Sequence, residues 1–321
     1  MNRNKHKYTE LCKEQTLPLH MQPWWLDAVC SPDGWDVALS FDGAGNIDGA
    51  LPYHLSESKG VLTIRMPSFT DYAGIWMQLP QAPDMKRERR YDVETRIIGA
   101  LCEQLPAVAF YDQSFFPDFE YWLPFMWRGY RQTTHYTYVL APIANADWIY
   151  EGFRSSLKKD LRKAERSVNW SNPETPEALY KLYEDTFKRQ RLAVPNSLHE
   201  FLQIDAAAAE RGCRRIYLAH DRGNGDLHAG LYVVWDHQTA YFLLSGADPD
   251  LRSSGALFLL QWQAIQDFAT NGYQIDFCGS ILPGVENALR AFGAERKAYF
   301  RIYKAGNRLW RLLAWLMNKD Y

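Results

Sequence analysis

The sequence has no long apolar run, no cysteine pairing pattern and no excess of charge of one sign, and each absence removes a class of protein. No stretch of about 18 apolar residues occurs, so no membrane span is expected, and the first residues lack the apolar core of a secretion signal. Five cysteines (Cys12, Cys30, Cys102, Cys213, Cys278) are odd in number and scattered, with no C-x-x-C pair. Such spacing fits reduced thiols, gives neither a disulfide framework nor a zinc site, and points to a cytoplasmic home. A formal net charge of -2 gives no general attraction for nucleic acid, so contact with a polyanion has to come from a local patch. There is also no G-x-S-x-G elbow, H-E-x-x-H pair or P-loop, and no histidine at a diagnostic spacing from Cys278. Covalent catalysis and a bound metal are therefore not expected.

What is present is apolar and aromatic content, 47% and 15% of 321 residues, enough for two ordinary cores. Between Leu140 and Trp148 the chain loses all periodicity, which places a domain boundary there and gives domains over 1–143 and 144–321. In the first half, Pro18 to Val29 reads as an aromatic-faced helix. Trp35 to Phe41 and Ile47 to Leu55 form a hairpin around Asp42-Gly43-Ala44-Gly45-Asn46, and Val61 to Met66 a third strand. A loop from Pro67 to Gly74 leads to Ile75-Trp76-Met77; Lys86 to Gln104 is helical, and Ala107 to Tyr111 and Gln132 to Leu140 are strands.

The second half opens with a helix over Asp147 to Val168, apolar at Phe153, Leu157, Leu161 and Val168 and basic elsewhere (Arg154, Lys158, Lys159, Arg162, Lys163, Arg166). Pro176 to Gln190 is a second helix, and the capping box Ser197-Leu198-His199-Glu200 starts a third. Arg214 to His220, Leu227 to Asp236 and Thr239 to Ser245 form an antiparallel meander. After a Pro-containing turn, Arg252-Ser253-Ser254-Gly255-Ala256 opens an amphipathic helix whose first N–H groups, beside the Arg252 charge, suit an anion. Both halves end on an aromatic, glycine-containing turn and an aromatic strand: Trp127 to Tyr138, and Phe292 to Arg301. Asn307 to Lys319 is an amphipathic helix expected to dock on the core.

The Arg252 to Ala256 loop resembles the pyrophosphate-binding loop of GNAT-type acyltransferases, with Leu257 at the final small position. The order Tyr241 to Ala247, helix, Ile275 to Ser280 and Phe292-Gly293-Ala294 resembles the Fem-type branch of that superfamily. The resemblance implies an α+β fold of tandem GNAT-like domains, each a mixed, mostly antiparallel sheet flanked by helices. It implies acyl-coenzyme A (acyl-CoA) as co-substrate, its pyrophosphate on Arg252, Ser253, Ser254, Gly255 and Ala256 and its thioester near Ser245 and Gly246. It implies an amine or hydroxyl acceptor, a small molecule or cell-envelope precursor, in an interdomain cleft. Asp71, Asp276 and Tyr299 become catalytic candidates, and Tyr72, Arg154, Lys158, Arg162 and Ser280 substrate-binding candidates. The tRNA-dependent Fem peptidyltransferases should carry a long helical arm in the second domain, and Val168 to Arg211 holds only two ordinary helices, so tRNA is not expected as a partner. Two alternatives stay open: an aminoacyl-tRNA-dependent peptidyltransferase acting on a peptidoglycan precursor, and a binding protein on a catalytically idle GNAT fold.

Overall fold

A computed structural model describes residues 3–79, 86–143, 145–173, 175–279 and 283–316. The chain divides into two compact units, one of residues 1–135 with 298–321, the other of residues 136–297.

The first unit contains α1 (Arg3–Glu14), α2 (Pro23–Cys30), β1 (Trp35–Phe41), β2 (Ile47–Ser58), β3 (Val61–Arg65), β4 (Trp76–Met77), α3 (Arg87–Gln104), β5 (Phe110–Ser114) and α4 (Leu123–Met126). The strand β6 (Arg131–Leu140) begins in it and ends in the second unit. The second unit continues with α5 (Ala146–Glu151), α6 (Ser155–Ser167), β7 (Val168–Ser171), α7 (Glu177–Arg189), α8 (Leu198–Glu210), β8 (Arg214–Asp221), β9 (Leu227–Trp235), β10 (Thr239–Ala247), α9 (Ala256–Ala269), β11 (Gln274–Asp276) and α10 (Pro283–Leu289). The strand β12 (Glu295–Ala305) leads back to the first unit, which ends with α11 (Arg308–Leu316).

In the first unit the strands pair in the order β1, β2, β3, β5, β12, all antiparallel except β3 with β5. In the second the order is β7, β8, β9, β10, β11, β6, all antiparallel except β10 with β11. The two units repeat one plan: a meander, a crossover helix (α3 or α9), a parallel strand, and a final antiparallel strand. That last strand is exchanged in sequence, since the first unit is completed by β12 from the chain's end and the second by β6 from its first half. The duplication read from the turns is matched locally, because each exchanged strand follows a short helix and a glycine of positive φ, Gly129 at 81° and Gly293 at 70°.

In the second unit β9 is buried along nearly its whole length, as a strand covered on both faces must be. One face meets α9; the other meets α7 and α8, with Tyr232 against Phe201 at 5.0 Å between ring centroids. The first unit packs Ile97, Ile98 and Leu101 of α3 on one side of its sheet and Tyr8 of α1 with Trp35 and Leu39 in a second cluster.

Three expectations need correction. The helix drawn from Asp147 to Val168 is two helices, α5 and α6, broken at Gly152-Phe153-Arg154, and Val168 starts the edge strand β7. The break turns Phe153 inward, where its ring sits 5.1 Å from Trp262 and 5.2 Å from Phe292. The strand expected at Ala107 to Tyr111 runs instead from Phe110 to Ser114, its register set by the parallel pairs Thr63 to Phe110 and Ile64 to Tyr111. α1 was not foreseen: its residues are mostly polar, and it is held by long-range contacts, Tyr8 donating to the Met21 carbonyl at 2.7 Å and the Lys5 ammonium lying 3.8 Å above the Trp35 ring.

Candidate functional site

In the second unit, β10 and β11 run side by side for only three pairs, Thr239 with Gln274, Ala240 with Ile275 and Tyr241 with Asp276. At the same level the register of β10 against β9 shifts between Tyr241 and Leu244. Such an irregularity bends a strand and raises its local twist. Past Asp276 the chain turns to Tyr138, whose carbonyl accepts the Phe277 N–H at 3.0 Å. Among the described residues, Leu244 to Ala247 therefore have a strand partner only on the β9 side. Ser245 is half-buried on this stretch. Gly246 is there for packing: a Cβ would lie 2.5 Å from the Leu182 carbonyl carbon, so α7 approaches only because the side chain is absent.

From β10 the chain enters a turn built by Asp248, whose carboxylate accepts the N–H groups of Asp250 (2.8 Å) and Leu251 (3.2 Å). A 3₁₀ turn over Arg252–Ser254 follows, and Gly255 (φ 79°) reverses the chain into α9. This conformation suits glycine, and a Cβ would also sit 2.8 Å from the Asp160 carbonyl oxygen of α6. Arg252 and Ser253 are exposed, Ser254 and Ala256 buried. Ser254 Oγ accepts the Ala256 N–H at 3.3 Å, a long bond. The following N–H groups of the first turn have no intrahelical acceptor.

The cations of α6 divide in two. Arg154 donates to the Asn287 carbonyl (3.0 Å) and side-chain oxygen (3.1 Å), and Lys158 to the Glu151 carbonyl (3.0 Å) and carboxylate (3.3 Å), so both tie the helix to its neighbours. Lys159, Arg162, Lys163 and Arg166, at i, i+3, i+4 and i+7, form one exposed basic face around an open depression of about 490 Å³. Lys163 Nζ donates to the Ser253 carbonyl at 2.6 Å, which places this face beside the Arg252 loop.

Asp276 is buried at the end of β11. One carboxylate oxygen accepts from the Thr137 hydroxyl (2.6 Å) and the Cys278 N–H (2.8 Å), and Thr137 Oγ1 in turn accepts the Gly279 N–H at 3.0 Å. Cys278 is held at φ 50°, a conformation that costs about 1–3 kcal/mol and needs such fixing. Ser280 lies outside the described residues.

In the first unit the loop before β4 is pinned to β5, the Ala73 N–H donating to the Ser114 carbonyl (2.6 Å) and the Phe116 N–H to the Ala73 carbonyl (3.1 Å). Asp71 is half-buried and Tyr72 fully buried. Tyr72 meets Tyr299 edge-on at 5.1 Å, so these two candidates come together. His135 also meets Tyr299 edge-on, at 5.5 Å between ring centroids. Burial, then the Arg301 guanidinium, push the His135 pKa down against the opposing pull of Asp112. Arg301 grips Asp112 in a two-point ion pair at 2.8 and 2.7 Å. His135, Arg301 and Asp112 escaped the sequence reading because they meet only through the exchanged strand β12 on β5, which no local pattern announces.

Residues 151–298 match the family model of the acetyltransferase (GNAT) domain. The second unit thus carries the match to a GNAT domain, in an α+β fold whose first unit repeats the same strand plan. The fold of the whole chain is similar to that of FemX, whose crystal structure superposes with a TM-score of 0.62 over 99% of this chain and 99% of its own, at 12% identity. The C-terminal domain of a putative lysylphosphatidylglycerol synthetase from Agrobacterium fabrum gives a TM-score of 0.53 at 12% identity, covering 98% of this chain and 94% of its own. L-PGS from Bacillus licheniformis gives 0.52 at 11% identity, covering 98% and 96%. A search of the curated proteins finds no match.

Proposed function

We propose that the protein transfers an acyl group from acyl-coenzyme A to an amine or hydroxyl of a small or cell-envelope precursor acceptor. The observation that carries this reading is the early parting of β10 and β11 after Tyr241 and Asp276, which leaves backbone of β10 open to a thin, amide-bearing ligand such as a pantetheine arm. The diphosphate would sit at Arg252 to Ala256, where a phosphate oxygen can take the Ala256 N–H from Ser254. The chemistry is direct attack of the acceptor on the thioester carbonyl, promoted by holding the reactants together and by backbone N–H groups at the developing oxyanion. Asp276 acts as a positioning residue that fixes the Cys278-Gly279 turn. Asp71, Tyr72 and Tyr299 remain the acceptor-side candidates, with Tyr299 as proton donor to the thiolate and neutral His135 against its ring. A cytoplasmic location is part of the same proposal, since the donor is a cytoplasmic metabolite.

Thermal shift with acetyl-, succinyl- and long-chain acyl-coenzyme A, read beside release of free thiol, tests the donor. Ligand at a hundredfold over Kd should stabilise the native state by about 2.7 kcal/mol, and Arg252→Ala should remove most of that shift. Equal shifts in both proteins would move the phosphate site elsewhere.

A second reading, aminoacyl-tRNA as donor, is favoured by the exposed basic face of Lys159, Arg162, Lys163 and Arg166. Filter binding of tRNA across a salt series separates the two, a steep loss of affinity with salt and no response to acyl-coenzyme A supporting the tRNA reading.

A further inference from the structure

The acyl-transfer reading leaves α11 without a task. Its sequence is Arg308-Leu309-Trp310-Arg311-Leu312-Leu313-Ala314-Trp315-Leu316, with leucine at 309, 312, 313 and 316, the i, i+3, i+4, i+7 series of one helical face. Such a stripe normally turns to the core. Here the core contact is Trp310, whose ring lies 5.6 Å from Phe110 of β5. Asn307 Oδ1 accepts the Trp310 N–H at 3.0 Å and fixes the helix start. Leu309 is 61% and Leu312 52% exposed.

The charge around the stripe selects what covers it. Arg308 and Arg311 are exposed, neither makes an ion pair among the described residues, and α11 contains no acidic residue. An anionic bilayer accepts both parts at once, leucines at the acyl boundary and guanidiniums among the headgroup phosphates. At about 1.5 Å of rise per residue the helix is far too short to cross a hydrocarbon core, so the contact lies in the plane of the surface. No helix among the described residues is long and apolar enough to span.

We infer that α11 docks the protein on a membrane surface containing anionic lipid, through Leu309, Leu312 and the two flanking arginines. The inference does not depend on the donor assigned above.

Co-sedimentation of the full chain tests it, using vesicles of phosphatidylcholine with phosphatidylglycerol and vesicles of phosphatidylcholine alone. Wild type should pellet with the anionic vesicles and be partly released by salt. Leu309→Asp with Leu312→Asp should lower the bound fraction about tenfold or more, and Arg308→Ser with Arg311→Ser should abolish the preference for the anionic vesicles. Both pairs are exposed, so unchanged circular dichroism and urea midpoints confirm that folding is intact. The proposal fails if wild type stays in the supernatant with both vesicles, if it binds both equally, or if the leucine variant pellets like wild type. It fails equally if light scattering shows a vesicle-indifferent dimer that the leucine variant splits.

Discussion

The Thr137 hydroxyl donates to Oδ1 of Asp276 at 2.6 Å across 139 residues of sequence, and both residues are buried. Thr137→Val removes this donor and also the acceptor of the Gly279 N–H. Leaving buried polar groups unmatched should cost about 1–3 kcal/mol, read from urea denaturation.

The same relationship tells positioning from proton relay. Asp276→Asn keeps an oxygen for Thr137 and the Cys278 N–H, so thiol release should stay within about threefold of wild type, whereas Asp276→Ala should lose much more. Equal collapse of both variants would make Asp276 a proton carrier instead.

Gly246→Ala forces a methyl group against backbone of α7, with Leu182 and Tyr183 atoms 2.5 to 2.6 Å away. A helix backbone cannot yield as a side-chain tip does, so the expected loss is about 1–3 kcal/mol or more. A urea midpoint equal to that of wild type would mean that α7 is not seated on β10 as described.

Burial lowers the pKa of His54 below 6.5, and burial with the Arg301 charge lowers that of His135. A depressed histidine binds its proton more readily in the unfolded chain, so its contribution to stability is complete above 6.5 and is lost as pH falls through the folded value. The urea midpoint should therefore be lower at about pH 5.5 than at about pH 7.5, and His54→Gln, which removes one of the two groups, should flatten the difference.

The core carboxylate Asp205 receives Arg214 (3.1 Å) and the Tyr232 hydroxyl (3.0 Å). Asp205→Ala takes the carboxylate away from a largely buried guanidinium and hydroxyl and should cost about 3–5 kcal/mol, while Asp205→Asn, which still accepts from Tyr232, should cost less. Thermal denaturation of the two variants side by side checks the order.

Local signals carried most of the second unit. The capping box at Ser197 and Glu200 forms as read, and the Asp221 turn does too, with carboxylate bonds to Gly223 (2.8 Å) and Asn224 (3.2 Å). Both devices act within a few residues, so their chemistry is written in a short window. The interruption at Phe153 was hidden because Phe153, Leu157 and Leu161 continue one apolar period across it. The partition of α6 cations was hidden for another reason: what removes Arg154 and Lys158 from the basic face is Asn287 and Glu151, on other elements. The pairing of Tyr72 with Tyr299 depends on a strand more than two hundred residues away, for which a family resemblance stood in.

The exchange of β6 and β12 also bears on how the molecule is made. As the nascent chain leaves the ribosome, the first sheet must wait, open at β5, until β12 has been synthesised. Its exposed rim is therefore a transient invitation to chaperones and to aggregation, and a polypeptide truncated near residue 143 would hold that rim open for good.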